Sequence, residues 1–380
     1  MKRPMPLIVF ASAALLPALF LGFGILWGGV FAWAGFVYIT AFAALMDSTR
    51  SHFAGEAEFP AASALLTLLG VVHLVVFGVL IWAIAAEGPM LARLGLFLGG
   101  SLYLGQISNP IAHELIHQPK RGLFWLGAAV FSTMAFGHHS SAHRLVHHRY
   151  AASVQDPNTA RSGEGFYAFF LRAWRGSFTL GWQADRRGSG LHPYVIYLTI
   201  AKISMVIAAT LGGWMGVLVW GLLCVAAQAQ LLLSDYVQHY GLMRKMVDGK
   251  MEPMADRHSW NAPFWFSSAM MLNAPRHSDH HAHPARPFTA LRSGEDAPQL
   301  PWPLPLACTI ALIPPIWKRR IRPHLRLFCR LKLIMADYAR HARAQDRPIF
   351  ASSSPMPPCR HRHGSPCYRA RPPANRLASP

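Results

Sequence analysis

Charged residues are scarce in this sequence, and acids are the scarcest of them. Of the 380 residues, 14% are charged and 52% are hydrophobic, whereas a soluble domain is typically about one quarter charged. Lys and Arg together number 36, against 17 for Asp and Glu. This composition argues against an ordinary soluble domain and indicates an integral membrane protein.

Paired cysteines are absent as well. The five cysteines are scattered along the chain, and no two of them form a CxxC pair. They therefore indicate neither a disulfide framework nor a zinc ribbon. The sequence also has no glycine fingerprint of a dinucleotide-binding site.

The net charge of +19 suggests a nucleic-acid-binding protein until it is located along the chain. From Lys318 onward there are fifteen Lys or Arg residues against two acids, Asp337 and Asp346, a net charge of +13. The remaining basic residues are not interleaved with aromatics, so we expect no nucleic-acid partner. Residues 346–380 are rich in Pro, Ser and Arg, which predicts a disordered tail after a membrane-bound domain at 1–345.

The long apolar segments predict an all-α membrane protein with six transmembrane helices, since about twenty residues span a bilayer. The first run reverses near residues 26–29, and the last reverses at Gly212 and Gly213. The six segments are the two halves of Pro6–Met46, then Ala61–Ala86, Met90–Ala112, Tyr194–Thr210 and Trp214–Ser234. Basic residues favour one side, which predicts cytoplasmic termini. We expect Leu123–Phe136 to lie at the membrane interface and residues 301–317 to be interfacial or re-entrant.

Histidines are abundant where the apolar segments end on that side. In "HELIHQ", His113 and His117 are one helical turn apart, as in zinc metalloproteases. In "AHRLVHHRY", His143 and His147 repeat this spacing, and His148 points about 100° away on a helix of 3.6 residues per turn. "DYVQHYGL" adds His239, and "PRHSDHHAHP" adds His277, His280 and His281.

Nine histidines on one cytoplasmic layer are too many for a zinc peptidase, whose catalytic metal takes three protein ligands. They suit two metal ions, although imidazole alone does not identify the metal. We expect His73 to be a packed histidine, and His52 and His258 to be loop residues.

These motifs, in this order on six membrane helices, resemble the integral-membrane alkane 1-monooxygenases, relatives of the membrane fatty-acid desaturases and xylene monooxygenases. The resemblance extends from about residue 10 to about residue 325, and "HYG" and "RHSDHHA" are its specific parts. It implies a non-haem di-iron centre that uses O2 and electrons from rubredoxin to hydroxylate a terminal methyl group. It implies these iron ligands: His113, His117, His143, His147, His148, His239, His277, His280 and His281.

Four positions depart from the pattern of that family. Ala142 replaces the glutamate that usually precedes the second histidine box, and Pro275 replaces a glutamine before "RHSDHH". In the element usually written NYxEHYG, the asparagine is Asp235 and the glutamate is Gln238. We expect Gln238 near the metals, and Glu114, Asp235 and Asp279 to accept the free N–H groups of ligand histidines.

The implied function is hydroxylation of medium-chain alkanes to 1-alkanols at a bacterial inner membrane, with the active site on the cytoplasmic side. Because no CxxC pair is present, we expect a separate rubredoxin or ferredoxin, with its NAD(P)H reductase, to deliver electrons. The predicted docking residues are Arg144, Arg149, Arg175 and Arg292. Three alternatives stay open: a hydroxylase or desaturase of another lipid-like substrate, a membrane zinc peptidase that uses "HELIH", and a histidine-rich metal transporter.

Overall fold

A computed structural model of the chain describes residues 3–49, 53–55, 57–186, 190–294 and 297–345. Within these residues, five helices are long and apolar enough to cross a membrane. They are α1 (Leu7–Trp27), α2 (Gly29–Asp47), α3 (Ala62–Ala85), α4 (Met90–Ile116) and α8 (Pro193–Gln238). The chain divides into two units, Met1–Phe328 and Cys329–Pro380. The predicted tail, 346–380, lies outside the described residues, as do Lys2, Arg50 and His52.

Shorter elements connect the apolar helices. The helices are α5 (Arg121–Thr133), α6 (residues 139–150), α7 (Phe166–Ala184), α9 (Trp265–Met270), α10 (His277–Ala282), α11 (Leu304–Ala311) and α12 (Pro314–Gln345). Two 3₁₀ turns cover Asp256–His258 and Phe288–Ala290. The strands are β1 (Arg3–Pro4), which is parallel to β2 (Phe53–Gly55), and β3 (Met246–Val247), which forms an antiparallel hairpin with β4 (Lys250–Met251).

Glycine pairs reverse the chain at both positions that the sequence indicated. Gly28 and Gly29, between α1 and α2, both have positive φ angles, of 60° and 53°. Within α8, Gly212 and Gly213 have non-helical dihedral angles. Beyond this break, Nε1 of Trp220 lies 3.1 Å from Oγ of Ser204. A continuous helix would place residues sixteen positions apart about 24 Å from each other, so α8 is a hairpin of two helices.

The apolar helices share one end, which we call the histidine end because the predicted ligands lie there. Asp47, at the end of α2, accepts hydrogen bonds from the backbone N–H groups of Phe266 and Ser267 at 2.9 and 3.0 Å, just before the loop that carries "RHSDHH". Near the start of α8, the hydroxyl groups of Tyr197 and Ser141 lie 3.0 Å apart. His113 lies in the last turn of α4, and His239 directly follows α8.

The prediction that Leu123–Phe136 lies at the interface is wrong. This segment forms α5, whose last residue, Thr133, lies inside the bundle between the middle portions of α3 and both halves of α8. The carbonyl oxygen of Thr133 accepts hydrogen bonds from Oγ of Ser204 and Nε1 of Trp220, and Oγ1 of Thr133 contacts His73. A helix can end at this depth because neighbouring side chains bind its free carbonyl groups. The second half of this segment is therefore buried among the apolar helices.

The proline-rich segment 301–317 contains one short helix and the start of another. Leu304, Ala307 and Ala311 of α11 are buried, and α11 packs against α8. On its other side, Leu306 and Leu312 are exposed. This arrangement fits the expectation of a segment that does not cross the membrane.

Candidate metal centre

Four chain segments bring histidine side chains to the histidine end of the bundle. His113 and His117 come from the end of α4, and α6 supplies three more. His239 directly follows α8, and α10 carries the last three histidines. All nine predicted ligands are described, and all nine lie in two groups whose ring nitrogens are within 4.8 Å of one another in each group.

The two groups are adjacent and contain five and four residues. The five-histidine cluster consists of His113, His117, His143, His148 and His280, and the four-histidine cluster consists of His147, His239, His277 and His281. The ring of His148, in the first cluster, lies 4.6 Å from the ring of His281, in the second. Each cluster has enough imidazole nitrogens to hold a metal ion, and the pair suits two neighbouring ions.

The grouping within α6 differs from the sequence expectation. The spacing predicted that His143 and His147 share a position and that His148 points elsewhere. Instead, His143 and His148 share the five-histidine cluster, and His147 belongs to the other. The cause is a π-helical turn over His143–His147, because a π-helix pairs residues i and i+5 rather than i and i+4. A regular α-helix would instead place His143 and His147 on one face, so this turn decides how the three histidines divide between the clusters.

Contacts between ring nitrogens provide a test of metal binding. Nε2 of His143 lies 2.8 Å from Nε2 of His113 and 2.9 Å from Nε2 of His148. In the other cluster, Nε2 of His277 lies 2.9 Å from that of His239 and 3.0 Å from that of His281. One ring nitrogen has either one hydrogen or one lone pair, so hydrogen bonds alone cannot satisfy two such contacts. Two nitrogens about 2.1 Å from one metal, at a right angle, are about 3.0 Å apart, so the residues present fit a metal ion in each cluster.

The electrostatics of the clusters favour neutral imidazole rings. Burial lowers the pKa of His148, His277 and His281 well below the usual value, and the neighbouring histidines lower it further. A neutral ring has a free lone pair, which is the form that binds a metal cation.

His147 is the exception, because a carboxylate that sequence analysis did not identify lies beside it. Nδ1 of His147 is 2.8 Å from Oδ2 of Asp156. Burial disfavours the charged ring, but the charge and hydrogen bond of Asp156 and the charge of Asp235 together outweigh burial and raise the pKa of His147. Nε2 of His147 is buried and has no hydrogen-bond partner among the described residues. Asp156 thus holds the Nδ1–H tautomer, which directs the lone pair of Nε2 to the cluster.

Asp156 is itself held in place by its own loop. The hydroxyl group of Thr159 donates a hydrogen bond to Oδ2 of Asp156 at 2.7 Å, and the backbone N–H of Asn158 donates to Oδ1 at 3.1 Å. One sequence signal could have identified Asp156: it is the only acid between Glu114 and Glu164.

The carboxylates that sequence analysis proposed as histidine partners make other contacts. Oε1 of Glu114 lies 4.0 Å from Nδ1 of His113, beyond hydrogen-bonding distance, and the Glu114 carboxyl group lies near the backbone of Phe288. Oδ2 of Asp235 accepts a hydrogen bond from Nδ2 of Asn158 at 2.7 Å. Both residues are buried beside the histidines.

Asp279 has a different role from the one expected. Its carboxylate binds Arg286 and His283, and it accepts a hydrogen bond from the backbone N–H of Arg292 at 2.8 Å. Asp279 therefore fastens the loop after α10 and does not contact a ligand histidine through a hydrogen bond. Gln238 accepts a hydrogen bond from Ser234 and donates one to the carbonyl oxygen of Ala274.

The remaining histidines of interest lie outside both clusters. His73 is buried within the bundle, with Nδ1 2.8 Å from Oγ of Ser108, as expected of a packed histidine. His258 lies in a 3₁₀ turn and is fully buried, and its Nε2 is 3.0 Å from Oε1 of Glu252. It is thus more tightly held than the loop residue that the sequence suggested.

A cavity of about 170 Å³ reaches both clusters from the interior of the bundle. His113, His143 and His277 form one end of the lining. Much of the rest is aliphatic and comes from α4, α8 and α11, with Leu102, Leu231, Leu304 and Leu312 among its residues. Gln238 and Asp235 also line it. The cavity suits an apolar molecule, part of which would lie beside the histidines.

The four predicted docking arginines, Arg144, Arg149, Arg175 and Arg292, are all exposed. The guanidinium group of Arg144 lies 4.9 Å from the ring centre of Phe124, and that of Arg149 lies 5.3 Å from the ring centre of Tyr150. Because Arg144 and Arg149 are exposed, a partner protein could reach their guanidinium groups.

A comparison with known families identifies the class of protein. The model of the family described as fatty acid desaturase matches residues 87–305, which contain every histidine of both clusters. The chain belongs to the fatty acid desaturase family. Its five long apolar helices indicate a membrane protein.

Within the fatty acid desaturase family, the chain is similar to several alkane 1-monooxygenases. It is 30% identical to alkane 1-monooxygenase 1 of Pseudomonas aeruginosa over 279 residues, which cover 70% of this chain and 72% of that protein. It is 33% identical to the alkane 1-monooxygenase of Ectopseudomonas oleovorans over 248 residues, which cover 62% and 59%. For alkane 1-monooxygenase 2 of Alcanivorax borkumensis, the identity is 30% over 251 residues, and the coverage is 63% and 65%.

Proposed function

We propose that the protein is a membrane-bound alkane monooxygenase that hydroxylates the terminal methyl group of medium-chain alkanes to 1-alkanols. The observation that carries this proposal is the pair of adjacent histidine clusters at the end of an apolar cavity. The names of the relatives support alkanes as the substrate class. The proposed site is at the cytoplasmic face of a bacterial inner membrane, with six passes.

Two iron ions are the proposed cofactors, one in each cluster, with O2 as co-substrate. Iron in such sites supplies O2 activation and oxygen transfer to a C–H bond. The chain's own contribution is to hold the ions through Nε2 atoms and to keep the rings neutral. Asp156 fixes the tautomer of His147 through the 2.8 Å contact, and Glu114 and Asp235 place carboxylate groups near an otherwise uncharged set of ligands.

The cavity positions the substrate by shape. An alkane dissolved in the bilayer gains almost nothing by moving to another apolar environment, because burial of a methylene group is worth about 0.8 kcal/mol only relative to water. Selection therefore depends on which chains fit between α4, α8 and α11. The aliphatic lining also excludes water from the reacting end, which prevents side reactions.

A zinc peptidase fits the geometry less well. His113 and His117 are not an isolated pair, since three further histidines complete their cluster. The carboxyl group of Glu114, which would be the general base of a peptidase, lies near the backbone of Phe288. A desaturase is the nearer alternative, because the matching family model has that description.

Electrons are proposed to arrive from a small acidic protein, rubredoxin or ferredoxin, that is reduced by its NAD(P)H reductase and docks at Arg144, Arg149, Arg175 and Arg292. The link from Arg292 to Asp279 ties this surface to α10 and its ligand histidines. Steering between opposite charges weakens as salt shortens the Debye length, from about 10 Å at 0.1 M to about 3 Å at 1 M.

The deciding experiment uses purified protein in lipid nanodiscs with rubredoxin, its reductase, NADH and a series of alkanes. Products are identified by gas chromatography and mass spectrometry, and metals by plasma mass spectrometry. We expect 1-alkanols, two irons per chain, and a second-order rate that falls steeply with salt. Formation of a double bond in fatty acyl substrates would instead identify a desaturase. One zinc ion per chain together with peptide cleavage would identify a peptidase. Exchangeable metal without O2 uptake would identify a transporter.

A further inference from the structure

An open groove of about 690 Å³ lies at the start of α12, away from both histidine clusters. We call it the basic groove and define it by Trp302, Ile316, Arg319, Arg320 and His324, which line it. The rings of Trp302 and His324 meet nearly edge to face, with centres 5.8 Å apart. All of these residues belong to the unit Met1–Phe328.

The basic groove carries positive charge that its own segment does not balance. Residues 297–328 contain no Asp or Glu, but they contain Lys318, Arg319, Arg320, Arg322 and Arg326. Arg319 and Arg320 are exposed. Neither forms an ion pair with a residue in the described part of the chain, whereas Arg172 and Arg257 are both paired with glutamates there. The groove thus presents two adjacent guanidinium groups to an external anion.

The chain changes from apolar to cationic at this groove. Leu312, Ile313 and Ile316 are exposed and apolar, and Arg319 follows three residues later. Trp317 lies between them and is buried against Tyr240, with ring centres 5.5 Å apart. Because Tyr240 directly follows His239, the groove lies near the level of the histidine end. An apolar surface that turns basic within one helical turn is typical of a helix at the headgroup level of a bilayer.

We propose that the basic groove binds the phosphate headgroup of an anionic phospholipid from the leaflet on the histidine side. Guanidinium groups suit this ligand because each presents several N–H donors in a plane and pairs with phosphate oxygens through two bonds. The lipid's acyl chains lie along Leu312, Ile313 and Ile316. A soluble anion would pair with the guanidinium groups but would make no contact with these apolar side chains.

The bound lipid touches a wall of the substrate cavity. Leu304, Cys308 and Leu312, in α11 and just after it, line that cavity, and α11 is followed after two residues by α12. The lipid would therefore pack against the outer side of the cavity wall that α11 forms, without contacting the histidines. This inference concerns lipid binding and does not depend on which reaction the histidine clusters perform.

The test measures lipid binding by the full-length protein in detergent, by native mass spectrometry with phosphatidylglycerol or phosphatidylcholine. We expect one phosphatidylglycerol to bind in preference to phosphatidylcholine. The double variant Arg319→Gln/Arg320→Gln should bind phosphatidylglycerol about 30-fold more weakly, since each basic residue near an anionic surface contributes about 1 kcal/mol, or about fivefold. Its metal content should match that of the parent.

The matched control is Lys245→Gln/Lys250→Gln, which removes two cations from the hairpin region and should bind the lipid as the parent does. The variant Arg319→Lys/Arg320→Lys keeps the charge but loses the paired guanidinium bonds, so its affinity for phosphatidylglycerol should be intermediate. If the glutamine variant does not fold, this lysine variant tests the proposal instead. Equal binding of the two lipids by the parent would overturn the proposal. So would unchanged phosphatidylglycerol affinity in the arginine variant, or inorganic phosphate alone binding the groove as tightly as the lipid.

Discussion

Single residues determine how the two clusters differ. The four-histidine cluster has a carboxylate in direct contact with one of its rings, through Asp156 and His147. In the five-histidine cluster, the nearest such group is Glu114, 4.0 Å from His113. A hydrogen-bonded carboxylate makes the opposite nitrogen of its histidine more basic. The two metal ions would therefore have unlike surroundings, and substitutions in the two clusters need not have equal effects.

Replacing His239 tests the four-histidine cluster most directly, because this histidine comes from a segment that provides no other ligand. In His239→Ala, we expect metal content to fall from two ions towards one per chain and hydroxylation to be lost, while membrane insertion is unchanged. Plasma mass spectrometry and membrane fractionation measure these effects. His73→Ala is the matched control, since His73 is also buried but lies in neither cluster, and it should retain both ions. Full iron content and normal product in His239→Ala would exclude the residue as a ligand.

The contact between Asp156 and His147 gives a second prediction. Asp156→Asn removes the charge and one of the two acceptor oxygens, and so weakens the hold on the Nδ1–H tautomer of His147. Loss of such a partner typically lowers metal affinity or activity by about 10- to 100-fold. Competition with a metal chelator measures the affinity, and thermal unfolding of the same samples separates this effect from general destabilisation. Asp248→Asn, at the exposed tip of the hairpin, is the control. Equal metal affinity in the parent and Asp156→Asn would refute the positioning role.

At the scale of elements, local irregularities place the site. The π-helical turn in α6 divides its histidines between the clusters, and another π-helical turn, Leu104–Ser108, precedes "HELIHQ" in α4. Helix α5 packs inside the bundle, and its terminal carbonyl group is held by side chains from both halves of α8. This contact depends on the glycine break that lets α8 fold back on itself.

The break in α8 yields a prediction on stability. Gly213 has φ 58° and ψ −144°, a combination that residues with a Cβ atom avoid, although no neighbour would obstruct the added atom. We expect Gly213→Ala to lower stability by about 1–3 kcal/mol, the usual effect of such backbone strain. Gly221→Ala is the control: it also meets no neighbour, but it lies in the helical part of α8, where alanine is favoured by up to about 1 kcal/mol. Thermal unfolding in detergent compares the two, and equal stability would contradict the strained turn.

At the scale of the whole molecule, the fold gathers every candidate functional group at one end of an apolar bundle. Histidines of both clusters line the cavity, and the four arginines are exposed on the surface. Under the proposed function, the apolar substrate would approach through the cavity and the electron donor would approach from the surface.

Labelling of introduced cysteines tests this architecture. In a variant without native cysteines, we expect Glu87→Cys and Trp214→Cys to react with a membrane-impermeant maleimide that is added to spheroplasts. Lys250→Cys, in the hairpin, should react only in inside-out vesicles. The physical reason is that both α8 and the α3–α4 pair reverse at the end opposite the histidines. Labelling of Trp214→Cys and Lys250→Cys from the same side would contradict six passes.

Much of this architecture was determined by the sequence alone. Apolar runs of about twenty residues require helices in a membrane, because backbone groups there must bond within the segment. The glycine pairs at 28–29 and 212–213 marked both reversals. The nine histidines that form the clusters were all named from the sequence, through their motifs and the resemblance of these motifs to the alkane 1-monooxygenases. These are local properties, set by residue type and by neighbours a few positions away.

Tertiary structure alone decided how the histidines divide and which carboxylate supports them. Within "HSDHH", His277 and His281 join one cluster and His280 the other, although all three share a single short helix. The depth of α5 depended on hydrogen-bond donors 71 and 87 residues away in sequence. Asp156 contacts His147 because a loop folds back over α6, and Asp279 is directed to Arg286. The division of the histidines and the depth of α5 depend on where segments distant in sequence meet, and the two carboxylate contacts depend on how a loop folds. Helical periodicity encodes neither.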